Sequence, residues 1–183
     1  MGVKIMEFKT LSIEEYNKEL QAKKSTPGGG SALAITLSIA ISLCKMVISF
    51  TIDKKGYEEY HDKLVEMDSR LDMYLLKAYK YADLDSSTFR ALMEAFKSKD
   101  EERIESASID ACMIPFNLFE LTQQVHNIAD ELFQKANKNV ISDAKIASDL
   151  CYSIYPGCVL NIKANIVNIH NEEARKFFNK VLF

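Results

Sequence analysis

Apolar residues recur along much of the chain at alternating spacings of three and four positions, which is the pattern of an amphipathic α-helix. The two longest repeats predict helices over residues 57–81 and 104–132. Ser12, followed three residues later by Glu15, has the pattern of a capping box and predicts a shorter helix over residues 12–22. No segment shows a convincing strand pattern.

One segment, residues 31–50, is apolar on nearly every face, and a helix of that kind either lies in a protein core or spans a membrane. Its polar residues fall on one narrow stripe, which consists of Ser31, Ser38, Ser42, Lys45 and Ser49. Because a lysine and central serines are costly in a bilayer, we expect a buried core helix and no membrane span. The stripe is expected to face a cleft or a closely packed neighbour.

A polar segment is predicted to divide the helix that begins near Tyr57. Residues 83–87 (Asp-Leu-Asp-Ser-Ser) interrupt its pattern, and residues 97–102 are predicted to form a charged loop. Between them a short apolar stripe resumes at Phe89, Met93 and Phe96.

Two prolines are expected to disturb the later helices. Pro115 predicts a kink in the helix over residues 104–132. Pro156, followed by Gly157, is predicted to bend or interrupt a helix over about 143–167, which Ser142 is expected to cap.

With an amphipathic closing helix at about 171–181, the pattern predicts an all-α fold, a bundle of roughly six or seven helices in one domain over residues 1–183. Two heptad-like faces and one apolar helix present more apolar surface than a single bundle needs. We therefore expect a homodimer.

The composition and net charge argue against several classes of fold and function. The 6 glycines and 3 prolines are too few for the many tight turns of a β-sandwich. A net charge of −3 gives no basic surplus for a phosphate backbone, so nucleic-acid binding is not expected.

Four cysteines without a CxxC pair and three distant histidines predict a reduced, cytoplasmic protein without a metal site. Lys4, Glu7 and Lys9 interrupt the N-terminal apolar residues, unlike a secretory signal.

The one glycine-rich stretch, Pro27-Gly28-Gly29-Gly30-Ser31, directly precedes the apolar helix. Backbone N–H groups at a helix N-terminus can cradle an anion. The stretch lacks the Gly-Lys-Ser/Thr ending of a phosphate loop, however. The alternative, which the local pattern favours, is a turn that lets two helices cross closely.

Asp83 and Asp85 lie in the predicted break and also have two interpretations. They can act as a general base or hold a cationic ligand. Alternatively, they cap a helix, which is the commoner role of an aspartate before two serines.

Two groups of polar residues accompany the helix over about 143–167. Asn161 and Asn165 carry a propensity cost inside a helix, so their amides either line a polar pocket or face water. The second group precedes the helix and forms either a site or a capped turn: Asn137, Asn139, Ser142 and Asp143.

Lys54 and Lys55 follow the apolar helix, where they complement the negative end of its dipole. They can also meet a ligand carboxylate, although most such pairs are only solvated.

In their order and spacing, these segments resemble the cyclodeaminase/cyclohydrolase family of folate enzymes. That family includes the cyclodeaminase half of formiminotransferase-cyclodeaminase and stand-alone methenyltetrahydrofolate cyclohydrolases. The resemblance spans nearly the whole chain and is carried by residues 27–31, 46–47, 54–57, 83–89, 93–96, 115, 137–143 and 157–165.

The resemblance implies a helical homodimer that binds a folate in a cleft near the subunit interface, with no cofactor beyond the tetrahydrofolate substrate. The first hypothesis is hydrolysis of 5,10-methenyltetrahydrofolate to 10-formyltetrahydrofolate, since residues 1–183 include no transferase domain. The alternatives are cyclodeamination of 5-formimidoyltetrahydrofolate with release of ammonia, and a non-catalytic dimer that binds folate or serves in assembly.

The resemblance also implies site residues. Catalytic roles are expected for Asp83, Asp85 and Asp143. Substrate binding is expected for Pro27, Gly28, Gly29, Gly30, Ser31, Lys54, Lys55, Asn137, Asn139, Ser142, Asn161 and Asn165.

Overall fold

The computed structural model describes residues 7–182, which form six α-helices, three single 3₁₀ turns and no strand. The helices are α1 (Ile13–Gln21), α2 (Gly29–Ser49), α3 (His61–Ser98), α4 (Glu101–Lys135), α5 (Ile141–Ile166) and α6 (Glu172–Asn179). The all-α prediction is confirmed. The prediction about a secretory signal concerns in part residues 1–6, which lie outside the described residues.

The start of α1 follows the predicted capping box. The Glu15 backbone N–H donates to Ser12 Oγ at 3.2 Å, and the Ser12 N–H donates to Glu15 Oε2 at 2.8 Å. These reciprocal bonds satisfy two backbone donors that the first turn of a helix otherwise leaves free.

The predicted break at residues 83–87 is wrong, because α3 continues through it to Ser98. The aspartates do not cap a helix, since their carboxylates accept N–H groups from distant segments: Asp83 from Phe8 and Asp85 from Ser31. The predicted charged loop shrinks to the two residues between α3 and α4. There Lys99 adopts a left-handed conformation and Asp100 caps α4.

Both prolines lie inside unbroken helices. α4 runs through Pro115 and α5 through Pro156, so the predicted interruption at Pro156 is wrong, whereas a bend at either proline stays a prediction. Ser142 does not cap α5, because the helix already begins at Ile141. Asp143 lies in the first helical turn, as predicted.

The core forms around α2, which packs against α3, α4 and α5. By length and composition α2 could cross a membrane, but half of its most apolar window is buried inside the protein. Its inward residues include Leu37, Ile41 and Val47, each fully buried. The prediction of a core helix is therefore confirmed.

The polar stripe of α2 runs from the interior to the surface. Ser31 and Ser38 are buried, whereas Ser42 and Ser49 are exposed. Lys45, between them, forms ion pairs with Asp68 and Asp72 of α3 at 2.6 and 2.9 Å. The buried end of the stripe lies at the start of α2, where the glycine-rich turn meets α3.

Candidate functional site

A cavity of about 230 Å³ lies at the end of the bundle where α2 begins. The start of α2, the second half of α3, the first half of α4 and the end of α5 enclose it. Its lining comprises Ser25, Thr26, Gly28, Gly29, Gly30, Asp85, Thr88, Phe89, Ala111, Pro115, Asn161, Ala164 and Asn165. Three separately predicted segments, the glycine turn, the second aspartate and the late asparagines, therefore share one hollow.

Asp85 occupies the position where an external anion was one of two possibilities, the favoured one being a turn that lets two helices cross closely. Its Oδ2 atom accepts the Ser31 N–H at 3.0 Å in the first turn of α2, where the helix dipole favours a negative charge. A Cβ on Gly30 would lie 2.0 Å from Asp85 Oδ1. Gly30 is thus required for the close approach of a side chain, and the anion at this helix end is the protein's own carboxylate.

Burial raises the pKa of the Asp85 carboxyl above its usual 3.8, and the hydrogen bond from Ser31 partly opposes this effect. A carboxyl group with a raised pKa gives up and accepts protons more readily near neutral pH than an ordinary aspartate does. Asp85 is therefore suited to acid–base chemistry on a molecule in the cavity.

The amide wall of the cavity depends on a proline in the facing helix. Pro115 has no N–H, so the Ala111 carbonyl four residues earlier lacks its usual helical donor. The Asn165 Nδ2 amide donates to that carbonyl at 3.2 Å. This bond holds the side-chain amide of Asn165 in place through Nδ2. The Oδ1 atom of the same amide takes no part in the bond. Asn161 lies one turn earlier on the same cavity-facing side of α5.

Seven lining residues were not among the predicted site residues: Ser25, Thr26, Thr88, Phe89, Ala111, Pro115 and Ala164. Thr88 and Phe89 bear on the interpretation of α3. The signal for these two was available. Once α3 is continuous, Thr88 and Phe89 lie three and four positions after Asp85 and share its face. The predicted helix break concealed that relation.

Several predicted site residues near the turn do not line the cavity. Asp83 Oδ1 accepts the Phe8 N–H at 2.9 Å, which ties the N-terminal segment to α3. Pro27 is buried beside the turn, and Ser31 is buried behind it. Ser31 still contributes to the site through its N–H on Asp85.

The remaining predicted residues lie at the opposite end of the bundle, beyond the C-terminus of α2. A helix of 21 residues spans about 30 Å, which separates the two groups within one subunit. Lys54 Nζ donates to Asn137 Oδ1 at 2.6 Å, and Lys55 is exposed beside it. Asn139 and Ser142 have exposed side chains, and Asp143 is half-buried.

Asn137 itself forms a capped turn. Its Nδ2 donates to the Phe50 carbonyl at 2.8 Å, its N–H donates to Thr51 Oγ1 at 3.1 Å, and its Oδ1 accepts the Asn139 N–H. These bonds join the end of α2 to the α4–α5 connection. The capped-turn alternative therefore describes this residue.

The cysteines have no catalytic surroundings. All four are buried free thiols, and burial raises the pKa of Cys44, Cys112 and Cys158 to about 12. Thiols with such pKa values are inert at neutral pH, and all four cysteines pack in the interior as small, fully buried residues.

Gly30→Ala tests the close approach of Asp85. The added methyl group has to displace the carboxylate from the Ser31 N–H, so the free energy of unfolding should fall by about 1–3 kcal/mol in urea denaturation. Gly29→Ala is the matched control, because a Cβ there meets nothing within 4 Å. The control should be neutral or stabilising by up to about 1 kcal/mol. Equal stability of the two variants would contradict the described contact.

Asp85→Asn tests the cost of burying the charge. The amide oxygen can still accept the Ser31 N–H, but no charge is buried, so the variant should melt a few degrees above the wild type at pH 7. Because burial raises the folded-state pKa of the wild-type carboxyl, its charge destabilises the fold as the pH rises above about 3.8. The advantage of the variant should therefore shrink as the pH falls towards that value. A wild type that is more stable at pH 7 would show that the helix end compensates fully for burial.

Comparisons with known proteins show the family of the chain. The family model described as "Formiminotransferase-cyclodeaminase" matches residues 12–182. The chain is 30% identical to a methenyltetrahydrofolate cyclohydrolase of Methylorubrum extorquens over 84% of this chain and 78% of that protein. It is 22% identical to the rat formimidoyltransferase-cyclodeaminase and spans 34% of the length of that longer protein.

A solved structure has the same fold. The formiminotetrahydrofolate cyclodeaminase of Thermotoga maritima superposes with a TM-score of 0.92 at 29% sequence identity, covering 95% of this chain and 87% of that one. The family match covers all six described helices, including the four that enclose the cavity. The chain therefore belongs to the formiminotransferase-cyclodeaminase family of folate one-carbon enzymes.

Proposed function

We propose that this protein hydrolyses 5,10-methenyltetrahydrofolate to 10-formyltetrahydrofolate, with Asp85 as the general base. The observation that carries the proposal is a largely buried carboxylate, with a raised pKa, aimed into a cavity that has an amide wall and an aromatic wall. The similarity to the Methylorubrum cyclohydrolase supports this choice of reaction.

The size of the cavity indicates which part of a folate it holds. Its volume of about 230 Å³ is smaller than the roughly 300–1,000 Å³ of sites that enclose a whole drug-sized ligand. We therefore place the fused rings inside and the benzoyl-glutamate tail outside. The flat ring of Phe89 can stack on the fused rings, and the amides of Asn161 and Asn165 can bond their polar edge.

The proposed hydrolysis depends on the negative charge of the Asp85 carboxylate beside the cavity. The methenyl carbon shares a positive charge with N5 and N10, and the Asp85 carboxylate stabilises that charge. Asp85 accepts a proton from water as the water oxygen bonds to the methenyl carbon. The hydroxyl proton of the adduct then moves to N5 as the bond between carbon and N5 breaks. The formyl group remains on N10, and one proton is released to solvent, which balances the charge.

Cyclodeamination is the second candidate, supported by the similarity to the Thermotoga cyclodeaminase. In that reaction N10 of 5-formimidoyltetrahydrofolate attacks the formimidoyl carbon, and the N10 proton moves to the imino nitrogen. That nitrogen leaves as ammonia after it gains one further proton, and the methenyl cation remains. The same carboxyl group can supply that proton, since a raised pKa favours its protonated form. A folate-binding protein without activity is the third candidate.

Asp85→Asn and Asp83→Asn form a matched pair for the activity. Asp85→Asn should lower kcat/KM for methenyltetrahydrofolate by about 100-fold or more, measured as the decay of the substrate's absorbance. Asp83→Asn, which alters the contact with Phe8 outside the cavity, should stay within about threefold of wild type. No decay above the spontaneous rate in the wild type removes the hydrolase proposal. Ammonia release from the formimidoyl substrate would then support cyclodeamination, and folate binding without either reaction would support the third candidate.

We also propose that two copies associate through the uncovered face of α2. Ile39 is 52% exposed there, and Leu76 of the neighbouring α3 is 67% exposed, so these two helices present large apolar side chains to solvent. Ser42 is a small exposed residue near the middle of α2 and allows two helices to approach closely. An antiparallel pairing centred on it brings residues 53–55 of one copy beside residues 29–31 of the other. Lys54 and Lys55 would then lie near the partner's cavity, where a folate tail carries its negative charge.

Ile39→Glu should convert a dimer into a folded monomer, because it places a charge in the centre of the proposed interface. Sedimentation velocity gives the mass, and far-UV circular dichroism checks the helical fold. Leu160→Glu is the matched control, since Leu160 is 66% exposed on α5, away from this face. A monomeric wild type, or a monomeric control variant, would reject the interface.

A further inference from the structure

Tyr16 of α1 reaches the same serine that holds Asp85. Its phenol oxygen lies 3.0 Å from Ser31 Oγ, within hydrogen-bond distance, and Ser31 is fully buried. Ser31 also donates its backbone N–H to the Asp85 carboxylate. Ser31 thus contacts α1 through its side chain and α3 through its backbone N–H.

A second contact from the N-terminal segment reaches α3 close to the same place. The Phe8 N–H donates to Asp83, and the Phe8 ring packs edge-on against the Tyr16 ring with centroids 5.7 Å apart. The segment from Phe8 to Tyr16 therefore clamps the start of α2, at Ser31, to α3, at Asp83. The only hydroxyl-to-hydroxyl link of this clamp is the one between Tyr16 and Ser31.

We infer that Tyr16 is a positioning residue for the Asp85 carboxylate: its hydroxyl holds the first turn of α2 so that the Ser31 N–H stays directed at Asp85. This inference rests on the proposed function, in which Asp85 is the general base. Tyr16 itself does not line the cavity.

The contact has a measurable consequence for ionisation. The Ser31 N–H bond lowers the pKa of Asp85 against the larger, opposing effect of burial. If the first turn of α2 loses its anchor, that bond weakens and the pKa of Asp85 should rise further.

The titratable groups that face Asp85 do not mask this effect. Tyr16 faces it from α1, and burial together with the charge of Asp85 raises the pKa of the phenol. Cys158 faces it from α5, and burial raises the pKa of the thiol to about 12. Both groups therefore stay neutral between pH 5 and pH 9. The α4 residues at the cavity, Ala111 and Pro115, are uncharged.

Tyr16→Phe removes only the hydroxyl. The acidic limb of the pH profile of kcat/KM should move to higher pH. On the acidic limb, kcat/KM should therefore be roughly three- to tenfold lower than that of the wild type. At higher pH, where the profile is flat, kcat/KM should stay within about twofold of the wild-type value. Ser31→Ala keeps the backbone N–H and should move the limb in the same direction. The double variant should move it no further than either single one, because both changes remove the same bond.

Phe8→Leu is the control for packing. It loses the edge-on ring contact and lowers stability, but it retains both hydroxyls, so its acidic limb should coincide with that of the wild type. The inference would be overturned if the acidic limb of Tyr16→Phe coincided with that of the wild type. It would also be overturned if the acidic limb of Phe8→Leu moved as far as that of Tyr16→Phe.

A measurement without substrate separates this inference from the proposed function. The carboxyl ¹³C resonance of Asp85 can be titrated by NMR in the wild type, Tyr16→Phe and Phe8→Leu. Its midpoint should rise only in Tyr16→Phe. If the wild type does not hydrolyse the substrate but this midpoint moves, the proposed reaction is wrong and the positioning role stands. An unmoved midpoint rejects the positioning role, whatever the activity.

Discussion

Burying one carboxylate against the first turn of α2 is the constraint around which this site is organised. The charge of Asp85 loses most of its hydration, and the Ser31 N–H and the positive end of the helix dipole replace part of it. The arrangement is possible only where the helix has no side chain, which is why Gly30 stands there. A group that is costly to bury and incompletely compensated has a shifted pKa, and shifted pKa values are what acid–base chemistry uses.

The rest of the cavity is shaped by defects in otherwise regular helices. Pro115 leaves the Ala111 carbonyl without a helical donor, and Asn165 from α5 supplies one. The bond links α4 to α5 and orients an amide towards the hollow at the same time. A polar group that completes a neighbouring helix has little freedom to rotate, so the wall it forms is fixed before any ligand binds.

Asp83 lies two positions before Asp85, and the two aspartates have different surroundings and therefore different roles. Both aspartates accept one backbone N–H from a distant segment. Asp85 lines the cavity, whereas Asp83 does not. Burial raises the pKa of the Asp85 carboxyl. The pair thus separates into a carboxylate that fastens the N-terminal segment and one that is available for chemistry. The same segment, through Tyr16, reaches the serine that holds the second carboxylate.

The sequence by itself determined the helices, because apolar periodicity and local caps are properties of neighbouring residues. The capping box at Ser12, the core helix of residues 31–50 and the late amide face of Asn161 and Asn165 were all predicted from spacing. The resemblance of ordered motifs also identified the family and named Asp85. What failed were the interruptions at residues 83–87 and at Pro156, because both helices continue through these segments. The partners that satisfy the two aspartates come from residues 8 and 31, far away along the chain.

Only the tertiary structure decided which polar segments meet. Asn137 and Lys54 looked as much like site residues as Asn165 did, yet they lie at the far end of a helix about 30 Å long and bond to each other. Phe89 could be placed beside Asp85 only once α3 proved continuous. Tyr16 was not recognised as a site residue, because its role depends on which serine it reaches. Local pattern records what each segment can do, whereas proximity is set by how the helices pack, and packing is a property of the whole chain.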